Sequence, residues 1–216
     1  MFKKKLGLVL LLAVALSMTL ASVAFAHGGK GKEKFRADLD PLNRSGASGH
    51  AMLTLEGKKL TTKIRSHGLA AKLPHAQHIH GFKQAVSECP TLKADKNGDR
   101  LVNTAEGLPS YGPIQVSLTT RGDTSPSSAL AVDRFPVANP GGALKYDRTF
   151  AVSSKVANKL GKFAIVQHGV DLNGNGKYDF SAGKSELDPS LPQEATIPAN
   201  CGVIDPMAPG LHKKHN

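Results

Sequence analysis

Residues Leu73 to Phe82 read LPHAQHIHGF, with three histidines inside six positions and the last two alternating as His78, Ile79, His80. In an extended strand successive side chains point to opposite faces, so His78 and His80 share one face while Ile79 enters the layer behind it. The stretch therefore predicts a strand that buries an apolar face and presents two imidazoles side by side. Such a pair suits copper, zinc, iron or nickel, and needs one or two further ligands from elsewhere in the chain. For an isolated HxH the competing reading is a pair of surface histidines, so the decision rests on the surrounding sequence.

Outward from this stretch, both ends bear on the setting. Met1, Phe2 and Lys3 to Lys5 precede an apolar run from Leu6 to Ala21, and Ala24-Phe25-Ala26 follows as a small-residue cleavage site. This pattern predicts a signal peptide over residues 1–26 and a mature chain from His27, secreted or held at the cell envelope. The run is short for a retained anchor, and no cysteine near the cleavage point marks a lipoprotein. Removing residues 1–26 takes away three lysines and no acid, so the formal charge falls from +11 to +8. Much of that excess sits in a basic lead over 27–34 and a basic tail over 206–216, both read as solvated. An anionic envelope surface is a partner such charge would fit, and no nucleic-acid motif appears, so none is expected.

About 190 residues suffice for one domain with a sizeable core, placed at 35–205. The absence of tryptophan, with 22 glycines and 13 prolines, favours short strands and turns over long helices. Cys89 and Cys201 are the only cysteines, and export makes a disulfide the default. Nothing in the sequence sets the oligomeric state.

Along the chain, Phe35–Leu39 alternates apolar and polar residues, and His50–Leu55 with Leu60–Ile64 around EGKK predicts a hairpin. The segment DKNGDRLVNTAE places oxygens at Asp95, Asn97, Asp99, Asn103 and Glu106 with the spacing of a calcium loop, although Arg100 stands where such loops need glycine. A plain Asx-rich turn is the alternative. Tyr111–Thr120 predicts another strand, Lys145–Ser153 a further one, and Ser154–Leu160 two helical turns capped by Ser154. Phe163–Val166 is a short apolar strand that runs into Gln167 and His168. Then DLNGNGKYD sets out Asp171, Asn173, Asn175 and Asp179 with Gly176 as a better calcium-loop opening, completed by Glu186 or Asp188. Its alternative is an Asn-Gly hairpin tip.

Three separated pieces resemble one family. SHGLAAKLPHAQHIHGF is similar to the strand of Cu/Zn superoxide dismutases that carries their HxH copper ligands, together with a histidine three residues earlier, here His75. LGKFAIVQHGVDL resembles their later strand ending in a further copper histidine, here His168. ANCGVI is similar to their C-terminal strand, whose cysteine bonds to one shortly after the HxH, matching Cys201 and Cys89. HIHG followed by a GPIxV strand also resembles chordin-like CHRD domains. Both resemblances imply an all-β fold, an antiparallel Greek-key barrel or sandwich of about eight strands with long loops, in agreement with the strand-and-turn pattern.

The departures from the dismutase pattern bear on function. No histidine lies between Cys89 and His168, so the bridging histidine and the zinc ligands have no counterpart and zinc is not expected. Pro198 stands where the family has the arginine that attracts superoxide. The leading expectation is a copper site on His78, His80 and His168, structural calcium, and weak or no dismutation. A copper-only dismutase with a fourth ligand from His75, His67 or His50 is the enzyme alternative, although His75 is more simply an orienting hydrogen-bond partner. A CHRD-like interaction module without metal is the third. His27 as a terminal chelate and His212 and His215 in the tail are minor signals.

Overall fold

The computed structural model describes residues 31–82 and 85–208, so residues 1–26, His27 and the 209–216 tail lie outside it. In chain order the elements are β1 (Glu33–Pro41), β2 (Ser48–Glu56), β3 (Lys59–His67), β4 (Gln77–His80), α1 (Thr104–Tyr111), β5 (Ile114–Ser117), β6 (Leu144–Ala151), α2 (Ser154–Ala157), β7 (Ala164–His168), α3 (Gln193–Thr196), β8 (Pro198–Val203) and β9 (Asp205–Pro206). The strands form one curled sheet in the order β5-β4-β7-β8-β1-β2-β3-β6, with β9 beside β1. Every pairing is antiparallel. Strands β4 and β7, remote in sequence, are neighbours, as are β3 and β6, so the chain crosses the barrel end twice in Greek-key fashion.

The hairpin expected around EGKK forms with Glu56 opposite Lys59, leaving Gly57-Lys58 as the turn and Gly57 at φ +61°. Strict alternation in β1 to β3 sends Phe35, Ala37, Leu39, Ala51, Leu53, Leu55, Leu60 and Ile64 inward, where they meet Leu144 and Tyr146 of β6. The edges β5 and β6 do not share a backbone ladder. Their seam is closed by side chains: the Tyr146 hydroxyl and an Arg148 N–H both donate to the Thr119 carbonyl, at 3.2 and 2.7 Å.

Strands β4 and β7 are buried on both faces, because long loops and α1 form a second layer over them. That layer has its own small core of Tyr111, Ala164, Val166 and Cys201, with Leu42 and Cys89 against it. Cys89 and Cys201 are bonded, closing 112 residues of sequence. The histidines of β4 face this outer layer.

Three local expectations change. Tyr111–Thr120 is not one strand: Tyr111 ends α1, Gly112 turns at φ +82°, and β5 begins at Ile114. The helix starts where it does because NTAE is a capping box, with Asn103 accepting from the Glu106 N–H and Glu106 accepting from the Asn103 N–H. The second predicted helix is capped by Ser153, not Ser154, and runs only to Ala157 before a single 3-10 turn at Leu160–Lys162. Glu33 and Lys34, read as lead, pair with Leu55 and Thr54, and Pro206 of the tail pairs with Phe35.

Candidate metal centre

Strand β4 carries His78 and His80 on one face, as the alternation requires, and its register sets His78 opposite Val166 and His80 opposite Ala164 of β7. The small Ala164 leaves room for the His80 ring. At the end of β7 a register shift between Gln167 and His168 turns the third imidazole toward the other two. The three rings offer nitrogens within 4.8 Å of one another, against about 3.3 Å for a tetrahedral ion with ligand bonds of 2.0–2.1 Å. Among the described residues no other group of three His, Cys, Asp or Glu side chains converges in this way.

Each imidazole is held by a backbone carbonyl through one nitrogen. His78 Nε2 lies 3.1 Å from Ala129 O, His80 Nδ1 2.7 Å from Gly112 O, and His168 Nδ1 2.7 Å from Thr196 O. A carbonyl only accepts, so each of these nitrogens carries the proton and the opposite one presents a lone pair. Those opposite nitrogens, His78 Nδ1, His80 Nε2 and His168 Nε2, are buried without a hydrogen-bond partner. Leaving one buried acceptor unpaired costs about 1–3 kcal/mol, and three around one point form a donor set that an ion would satisfy. The rings are wedged by aromatic neighbours: Phe135 stands 5.3 Å from His78 and Tyr111 4.6 Å from His80, centroid to centroid.

His75 does not join the set. It is fully buried, with Nδ1 2.9 Å from His168 O, Nε2 3.0 Å from Ala70 O, and the Tyr178 hydroxyl 3.3 Å from Nδ1. It is bonded to the backbone that carries His168 and to no ring of the triad. Gly169 follows at φ +103°, and a Cβ there would strike the Tyr178 hydroxyl and approach His75 Nδ1 to 3.2 Å, so only glycine lets the chain leave the site this way. The other two candidate fourth ligands are remote: His67 pairs with Ser48 Oγ at 2.9 Å, and His50 is exposed on β2.

Burial holds all three imidazoles neutral. His78 titrates well below the usual range, first because it is desolvated and then because His168 and His80 would repel its charge; His80 falls to about 3 and His168 to about 4 on the same leading cause. In the unfolded chain these groups bind protons below about pH 6.5, whereas the metal-free fold does not take them up until much lower pH. The stability contribution is therefore complete above pH 6.5 and is lost as pH falls toward 4. We expect the urea midpoint of metal-free protein to drop between pH 7.5 and 5, as the unfolding free energy falls with a limiting slope of about 1.4 kcal/mol per histidine per pH unit. A midpoint independent of pH over that range would contradict buried neutral imidazoles.

No protein-family model matches this chain, and no curated protein is significantly similar to it. The chemistry of the site therefore stands on its own geometry.

The two Asx loops are internally hydrogen-bonded. In the first, Asp95 accepts from the Gly98 and Arg100 N–H groups, Asp99 from Leu101 N–H, and Asn97 from Asp99 N–H. Glu106 is engaged by Lys96 and Asn97 N–H and by its capping role, and Arg100 sits at φ +67° in place of glycine. In the second, Asp171 gathers Gly174, Asn175 and Gly176 N–H, while Asn173 and Asn175 donate to Asp179. The buried Glu194, which sequence reading passed over, ties this loop down by accepting from Leu172 and Asp179 N–H. Glu186 is turned toward the first loop instead, taking a 2.6 Å bond from Asn103, and Asp188 caps Ser190. The carbonyls of Ala129, Gly112 and Thr196 were equally invisible in sequence, since any residue type supplies one.

Proposed function

We propose that this is an exported, superoxide dismutase-like β-barrel that binds one copper ion through His78 Nδ1, His80 Nε2 and His168 Nε2. The observation that carries the reading is the set of three buried, unpartnered nitrogens whose tautomers are fixed by carbonyls on the far side. Neutral imidazoles suit copper, which stands highest among the divalent first-row ions for such donors. Bound there, the ion would supply a Lewis-acidic and redox-active centre with an open position. The protein's part is to fix the ligands and shield them. The Cys89–Cys201 bond fits the export read from residues 1–26.

Rapid dismutation is not part of this reading. The resemblance offers Pro198 in place of the guiding arginine, and among the described residues no Lys or Arg lines the opening over the histidines. A small anion therefore gains no local steering. Copper-loaded protein assayed against superoxide should turn over far below the diffusional range of about 10⁸–10⁹ M⁻¹s⁻¹. A rate close to that range would overturn the weak-activity reading and favour a copper-only dismutase.

Structural calcium in the second Asx loop belongs to the same proposal, on the spacing of Asp171, Asn173, Asn175 and Asp179. Millimolar calcium should raise the melting temperature, since binding to the folded state alone stabilises it. Asp171→Ala should abolish that rise. A melting temperature unmoved by calcium in the wild type would leave the loop as a self-sufficient turn organised by Glu194.

A further inference from the structure

The three histidines line a cavity of about 60 Å³ together with Pro74, Ala76, Leu130, Val132, Phe135 and Leu187. Judged by the space one water needs, it holds about four or five water-sized groups. Among the described residues, none that lines it is Asp, Glu, Lys or Arg. Apart from the three histidines, the hydroxyl groups of the residues that line it are already engaged. Thr104 Oγ1 donates to Thr196 O at 2.9 Å, Thr196 Oγ1 to Ser185 Oγ at 2.8 Å, and the Tyr178 hydroxyl to Pro74 O at 3.2 Å.

Three charges close in sequence to the rim are committed elsewhere. Asp133 pairs with Arg121, Arg134 is folded back onto Asp123 O and Ser128 Oγ, and Glu186 is bonded to Asn103. At the rim itself Leu130, Val132 and Leu187 are 41, 46 and 49% exposed. A large apolar side chain left half in water beside a pocket marks a surface that gains by receiving apolar matter.

We infer that the open position above the three histidines is built for a small neutral ligand, one nitrogen or sulfur lone pair on an apolar body, and not for a small anion. The inference rests on the metal-site reading above and names the ligand class for it. A bound ion attracts any anion, and that attraction is common to every wall chemistry. What the walls decide is the cost of arrival. An anion must shed its water along walls whose described residues offer no free donor and no positive charge, whereas a neutral apolar body releases water favourably from itself and from Leu130, Val132 and Leu187. The lone pair is then the one polar atom of the ligand, and the metal is its partner.

The test uses pyridine as the neutral probe and azide as the anion, each titrated into copper-loaded full-length mature protein and followed by electron paramagnetic resonance and the visible spectrum. In the wild type pyridine should saturate at a concentration at least about tenfold below that of azide. Val132→Lys, a change at a half-exposed rim position, should tighten azide about tenfold and leave pyridine unchanged or weaker, as expected for a local positive guide. Azide binding as tightly as pyridine in the wild type, or a Val132→Lys variant that shifts neither, overturns the inference. Absence of a copper spectrum before either probe is added overturns the metal-site reading instead, so the two failures are told apart at the first step.

Discussion

Reducing the Cys89–Cys201 bond is expected to lower the unfolding free energy by about 4 to 5 kcal/mol, through the freedom that a closed loop of this length withholds from the unfolded chain. The bond spans 112 residues and joins the loop after β4 to the buried strand β8. It also anchors the segment that leads through α1 to Gly112, whose carbonyl orients His80. A Cys89→Ser, Cys201→Ser variant should therefore melt at lower urea than the wild type and bind copper more weakly as well. Equal midpoints for the two proteins would show that the outer layer is held without the disulfide.

Copper itself should produce the other large shift. Three neutral nitrogens left unpaired in the metal-free fold make that fold less stable than its burial alone would give, and the ion removes the deficit only in the folded state. With free copper at a thousand times its dissociation constant, stability should rise by about 4.1 kcal/mol. The rise should fail in a His78→Ala, His80→Ala variant whose metal-free melt shows that it still folds. A copper-induced rise of equal size in that variant would place the ion elsewhere, with the histidines outside the described residues as the first suspects.

The barrel was legible in the sequence where one face meets water, because alternation in β1 to β3 records a buried side and a wet side. It was less legible where loops cover the sheet. There QHIH and AIVQH are buried on both faces, and nothing periodic announces the outer layer. The helix α1 was hidden inside a segment that reads equally well as a calcium loop, since Asn103 and Glu106 satisfy both patterns and the capping box claims them in the fold. The pairing of His78 with His80 on one face was readable from strand alternation, and the approach of His168 to them from resemblance to a known pattern. Their orienting carbonyls, the apolar vestibule and the locking role of Glu194 depend on tertiary contacts between residues up to about a hundred positions apart, such as His75 with Tyr178, and no local signal records those.

The most direct test of the account is metal analysis with electron paramagnetic resonance on mature protein loaded with copper and freed of excess. The account predicts one copper per chain with hyperfine coupling to three nitrogens, and none retained in the folded His78→Ala, His80→Ala variant. A wild-type protein that retains no copper, or a variant that retains it with an unchanged spectrum, would contradict the triad as a metal centre.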